Sequence, residues 1–125
     1  MLARTLFVAT LSISLTCAAQ DVGSLAGTWA GAFAALNGQP REAKIVIAGE
    51  TGTWQTYANN RDNPCVGREF PIDVLNVTPT SFDLAVNSSK SLPGCPDGKF
   101  QLKRVDDKTY ESKFPDGRKL VLSRK

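Results

Sequence analysis

Beyond residue 26, apolar and polar side chains alternate with period two in short runs, separated by clusters of Gly, Pro, Asn and Asp. Alternation at that period sends one parity of side chains into a core and the other into solvent, as in a half-buried β-strand. No stretch after residue 20 sustains a helical period. The pattern predicts eight strands. The first covers 27–35, with Trp29, Gly31 and Phe33 on one face; the second covers 42–48, with Ala43, Ile45 and Ile47. The third covers 53–58 with Trp54 and Thr56, and the fourth 69–77 with Phe70, Ile72 and Val74. The remaining four carry Phe82, Leu84 and Val86; Phe100 and Leu102; Tyr110, Ser112 and Phe114; and Leu120, Leu122 and Arg124. Asn37-Gly38, residues 49–52, Asp106-Asp107 and Pro115-Asp116-Gly117 supply tight turns. Pro71 has no backbone donor, which predicts an edge or a bulge where the fourth strand begins.

The opening residues follow another rule. Arg4 precedes an apolar run over 6–15, and small residues end it at Ala18-Ala19, the parts of a secretory signal peptide. The run is well short of the ~20 residues that span a bilayer, so no membrane span is expected. A lipoprotein modified at Cys17 is the rival, but Ser14 and Thr16 occupy the places where a lipobox carries Leu and a small residue. Cleavage near Ala19 would leave one domain, 20–125, a periplasmic or secreted monomer.

Losing the leader changes what the counts mean. Three cysteines become two, Cys65 and Cys95, and an even number in an oxidising compartment predicts a disulfide. A loop of that length contributes about 3–4 kcal/mol by restricting the unfolded chain. Charge also separates along the chain. Residues 20–98 hold five basic and eight acidic side chains, and 99–125 hold nine basic and four acidic. The last three strands should therefore show a positive outer wall from Lys99, Lys103, Lys113 and Lys119. Aromatics are not interleaved with these lysines, so nucleic acid is not an expected partner.

Strand order and cysteine placement agree with each other. In an up-and-down meander, loops after odd-numbered strands lie at one end. Cys65 follows the third strand and Cys95 the fifth, so a bridge is feasible only at that end. Eight antiparallel strands close into a barrel and remove exposed sheet edges. The expected fold is thus all-β, an eight-stranded antiparallel up-and-down barrel with one disulfide.

Leu25-Ala26-Gly27-Thr28-Trp29 resembles the Gly-x-Trp opening strand of lipocalins and related calycin barrels. The resemblance implies that Trp29 plugs a closed end and that a basic residue of the last strand, Arg124, packs across the indole. In size the chain is nearer to the small bacterial periplasmic barrels that inhibit metalloproteases. Those open on a similar Leu-x-Gly-x-Trp strand and end in a basic strand after an Asp-Gly turn, as in Asp116-Gly117 through Lys125.

Catalysis is not expected. The chain has no histidine, which removes the commonest general base and His-based metal sites. Glu69, Asp73 and Asp83 lie on neighbouring strands, but Asp73 and Asp83 have the outward parity. No metal or cofactor is expected either. A filled barrel interior would leave the disulfide-bearing rim as the working surface. Candidate contacts there are Asn60, Arg61 and Asp62 in the first long loop, Arg68 after it, and Lys90 and Leu92 in the second. The leading expectation is an exported inhibitor or immunity-type partner of a secreted enzyme; the alternative is a lipocalin-like carrier of a small hydrophobic ligand.

Overall fold

A computed structural model describes residues 22–57 and 63–125. The leader expected over 1–19 lies outside the described residues, as do Asn60, Arg61 and Asp62. A 3-10 turn, Val22–Leu25, leads into eight strands: β1 (Gly27–Ala34), β2 (Pro40–Ala48), β3 (Thr51–Tyr57), β4 (Glu69–Leu75), β5 (Ser81–Val86), β6 (Gly98–Asp106), β7 (Thr109–Lys113) and β8 (Lys119–Arg124). Each pairs antiparallel with the next, and β1 pairs with β8, so the sheet closes into an up-and-down barrel.

The alternation read from the sequence decides what faces inward. Ile45, Ile47, Ile72, Val74, Phe82, Leu84, Leu102, Leu120 and Leu122 are all buried in one core. Their outward neighbours Lys44, Asp73, Gln101 and Lys103 are exposed or half-buried. Burying nine such side chains supplies about 1.5–3 kcal/mol each before chain entropy is charged against them.

One end is sealed by Trp29, which is fully buried. Its indole Nε1 donates to the Leu25 carbonyl at 2.9 Å, so the 3-10 turn forms a lid. Arg124 spreads over the indole, its Cζ 4.3 Å from the ring centroid. From there its guanidinium donates to the Ala26 carbonyl at 2.8 Å and the Ser24 carbonyl at 2.6 Å. Tyr110 meets Trp29 edge-on at 5.6 Å and Phe82 edge-on at 5.0 Å, extending the plug inward.

Turns behave as their residues dictate, with one refinement. Asn37-Gly38 tolerates positive φ at both residues, but only Gly38 adopts it, at 82°. The Asn37 side chain instead accepts from the Gln39 N–H at 3.0 Å. The β7–β8 connection repeats this construction: Gly117 has φ 92° and Asp116 accepts from the Arg118 N–H at 3.1 Å. In both, the residue before the turn and the one after exchange a backbone bond of 2.8 Å, Ala35 with Gln39 and Phe114 with Arg118. Pro71 lies on no free edge. It stands opposite Thr53, its carbonyl accepts from Asn87 at 2.9 Å, and the β4–β5 ladder begins one residue later at Ile72↔Val86. Its missing donor thus falls beyond the last rung.

The long loop between β5 and β6 contains a feature the alternation did not reveal, a one-turn helix α1 (Ser88–Ser91). A four-residue segment is too short to display a 3.6 period, so no apolar stripe announces it.

Two substitutions probe this framework. At Gly52 an added Cβ would come within 1.9 Å of the Val46 carbonyl oxygen, a backbone atom that cannot step aside. Gly52→Ala is expected to cost about 3 kcal/mol or more, read as a lowered urea midpoint. Arg124→Ala removes the cation over Trp29 and two carbonyl contacts, an expected loss of about 2 kcal/mol. Arg124→Lys keeps charge without the planar fork, and it should recover less than half of that loss in the same measurement.

Candidate functional site

The end opposite Trp29 is built differently. It receives the β1–β2 and β7–β8 hairpins and both long loops, because all four connections follow odd-numbered strands. Cys65 and Cys95 join the two loops there, with Cα atoms 5.7 Å apart. Both sulfurs are packed against the core, Cys95 fully and Cys65 in part.

Below the bridge, three strands and the residue that follows β7 each place an aromatic ring in the lumen. Phe33 of β1 meets Trp54 of β3 at 6.4 Å, and Trp54 stacks on Phe100 of β6 at 5.8 Å with an 11° interplanar angle. Phe100 meets Phe114 edge-on at 5.1 Å, and Phe114 returns to Phe33 at 5.5 Å. The four contacts form a closed circuit of rings across the barrel, all at separations where aromatic pairs attract. The Trp54 Nε1 donates to its own strand's Thr56 Oγ1 at 2.8 Å, so the indole presents no unmet polar group.

These rings, with Thr56, Phe70, Val86, Ser88, Cys65 and the 96–99 and Pro115 edges, line a cavity of about 450 Å³. Thr56, Phe70 and Val86 of β3, β4 and β5 complete its walls and loop residues edge the opening, so the cavity is a cup with an aromatic floor. Polar side chains enter the lining at Thr56, whose hydroxyl accepts from Trp54, and at Ser88, Asp97 and Lys99. Ser88 is 5% exposed. Next to the cup, an open groove runs between the β1–β2 hairpin and the loops, lined by Phe33, Leu36, Arg41, Val66, Pro96 and Arg118. Leu36, at the hairpin tip, is 86% exposed.

Asp97 organises the lip. Its carboxylate accepts the Ser89 N–H and the Ser89 hydroxyl, both at 2.8 Å, and so caps α1 from the far end of its loop. The neighbouring Asn87 does not cap; its amide donates to Asp73 at 2.8 Å and ties the loop to β4. The Ser89 backbone bond, then the Ser89 hydroxyl bond, hold the Asp97 carboxyl below the usual carboxylate range. Across the mouth, Arg118 donates to the Ala34 carbonyl at 2.5 Å and to Asp116 at 2.7 Å, and lies 4.3 Å over the Phe114 ring.

Of the residues expected to make contacts, Asn60, Arg61 and Asp62 lie outside the described residues, and Arg68, Lys90 and Leu92 do not line the cup. Arg68 and Lys90 are exposed, Lys90 in the last turn of α1. Leu92 is half-buried and packs on the core, with its carbonyl accepting from Cys95 at 3.1 Å. Parity points Phe33, Trp54, Phe100 and Phe114 inward, and there Trp54 and Phe100 belong to the buried core with Phe33 and Phe114 packed against it. Inward parity does not separate a ring that only fills the core from one that also lines a cavity.

No family model matches the chain, and no curated protein matches it. Among solved structures it is similar to a redesigned β-barrel, with 20% identity over 83% of this chain and 94% of that one, at a TM-score of 0.47. The ladder pairing by itself defines the protein as a small eight-stranded β-barrel.

The Asp97 cap has a testable pH dependence. A carboxyl whose folded pKa is depressed contributes stability that is complete above its unfolded value and is lost as pH falls through the lowered folded value. The Ser89 amide resonance should hold steady from neutral pH down through the ordinary carboxylate range and shift only below it. Asp97→Asn should abolish that titration in the same NMR series.

Proposed function

We propose that this chain is an exported, non-catalytic binding barrel that holds a small, ring-bearing apolar molecule in the cup at its mouth. One observation carries the reading: a cavity of about 450 Å³ floored by a circuit of four aromatic rings, with only a few polar side chains in its lining, Thr56, Ser88, Asp97 and Lys99. That combination of an apolar body and a few convergent polar groups is the usual composition of a small-molecule site. The volume suits a ligand of two or three rings better than a long acyl chain. Offset or edge contacts with Trp54 and Phe100 would hold the rings, and Ser88, Asp97 and Lys99 would orient a polar end.

Other features support the reading. The disulfide fits an oxidising compartment and holds the lip to the core. The Gly-x-Trp strand and the Arg124–Trp29 contact resemble lipocalin-type carriers, which bind at the end opposite their tryptophan plug.

The cup can be filled without strain. An added Cβ at Gly98 would make ordinary contact with the Phe100 ring at 3.5 Å, and Gly98 does not adopt positive φ. N-phenyl-1-naphthylamine, a neutral ring-bearing probe, is expected to bind with a dissociation constant on the order of 1–10 μM and to quench Trp54 emission. Gly98→Leu should weaken that binding at least about tenfold while leaving the melting temperature unchanged or raised. Absence of saturable probe binding, or equal binding by Gly98→Leu, would overturn the assignment.

A second reading is an exported enzyme as partner, and exposed Leu36 beside its open groove favours it. Such a partner would seat on the hairpin tip, so Leu36→Asp would abolish the complex while sparing probe binding.

A further inference from the structure

The sheet is closed, yet its ladders are not equally long. β5 stays paired to β6 along its whole course, from Ser81↔Lys103 to Val86↔Gly98. β7 stays paired to β8 as far as Lys113↔Lys119. Between β6 and β7, however, the ladder covers only Lys103↔Glu111 to Asp106↔Thr109, with a register shift between Arg104 and Asp106. On the mouth side of Lys103 the two strands part.

A cleft of about 570 Å³ lies at this parting. Its lining joins Gln101, Lys103, Lys113 and Lys119 of the outer face to Ser112, which is 8% exposed and has the inward parity. Glu111 stands 3.6 Å from Lys119 and balances it. Among the described residues no carboxylate forms an ion pair with Lys103 or Lys113. Lys103 and Lys113 therefore bring two ammonium groups with no ion pair of their own to an opening that Arg104, Glu111 and Lys119 also line, beside the carboxamide of Gln101 and the hydroxyl of Ser112. Like charges held together raise the local potential, and a multivalent anion relieves it.

We propose that this cleft binds a phosphate group. Phosphate offers several acceptor oxygens and up to two negative charges, which suits a set of point-charge lysines with neutral donors between them. The site is on the side wall and shares no lining residue with the cup, so it stands independently of the apolar ligand. The phosphate can be free or borne on a lipid headgroup, and the two sources are separable.

The test uses the full chain with its disulfide intact, labelled with nitrogen-15 in low-salt buffer. Titration with inorganic phosphate should move the amide resonances of Gln101, Lys103, Glu111 and Lys113 saturably, beyond the change caused by chloride at equal ionic strength. In parallel, the chain is floated with vesicles of phosphatidylglycerol or of phosphatidylcholine. Saturable shifts without flotation assign free phosphate. Flotation with phosphatidylglycerol only, reversed by added phosphate, assigns the headgroup. Lys103→Glu with Lys113→Glu should weaken either response at least about tenfold, whereas Lys44→Gln with Lys90→Gln, on other faces, should not. The single variants Lys103→Glu and Lys113→Glu, each expected to weaken binding about threefold, serve if the pair fails to fold. The proposal is overturned if neither phosphate nor phosphatidylglycerol vesicles perturb these amides beyond the chloride control. It is equally overturned if the lysine variants bind as the parent does.

Discussion

Closing eight short antiparallel strands fixes the width of the lumen, and everything else in this barrel follows from how that width is filled. A lumen of eight strands is only wide enough for side chains or one small ligand. Trp29, Tyr110 and Phe82 occupy one end, and aliphatic residues such as Ile45, Ile72, Leu84 and Leu102 fill the middle. The circuit of Phe33, Trp54, Phe100 and Phe114 comes last before the rim. The free volume lies between the uppermost rings and the loops, so the depth of the cup is set by which inward position of each strand carries an aromatic ring.

The two ends meet different demands. At the closed end the chain needs a lid, and one 3-10 turn held by Trp29 and Arg124 supplies it with little backbone. At the mouth the long loops must stay raised around a cavity without collapsing into it. Cross-linking Cys65 to Cys95 restricts both loops at once, and packing the sulfurs on the core keeps the bridge at the height of the lip. Asp97 and Asn87 then fix the second loop locally, one through α1 and the other through β4. Rigid edges of this kind reduce the ordering cost of binding, which otherwise consumes much of the contact energy.

Much of this was legible in the sequence because period two and turn chemistry are local. Trp29, Ile45, Phe82 and Leu122 could be placed inward from parity alone. Antiparallel order then brought Cys65 and Cys95 to one end without reference to any coordinate. The parts that were not legible depend on longer-range facts. α1 is capped by a carboxylate eight residues downstream. The division of inward aromatics into core and cup depends on register across several strands, which no single strand encodes. The parting of β6 from β7 follows the register shift at Arg104 to Asp106, and nothing in the alternation of Lys99 to Lys103 marks it. Arg68, Lys90 and Leu92 belong to the loop-bearing end of the barrel, but loop composition could not tell a lip residue from a loop anchor.

The β7–β8 hairpin is where these structural themes converge. The β1–β8 ladder stops at Ala32↔Val121 on the mouth side, and the β6–β7 ladder stops at Lys103↔Glu111. The hairpin tip is therefore laddered only to itself, while both flanking strands continue past it. That tip carries Phe114 of the aromatic floor together with Lys113 and Lys119 of the lateral cleft. Its position is held by Arg118, which grips the Ala34 carbonyl across one seam and covers Phe114. Two sites that share one element are coupled only if each occupant favours a different position of that element. With the flanking ladders this short, the Arg118 contacts to Ala34 and Phe114 are what hold the hairpin tip to the rest of the barrel.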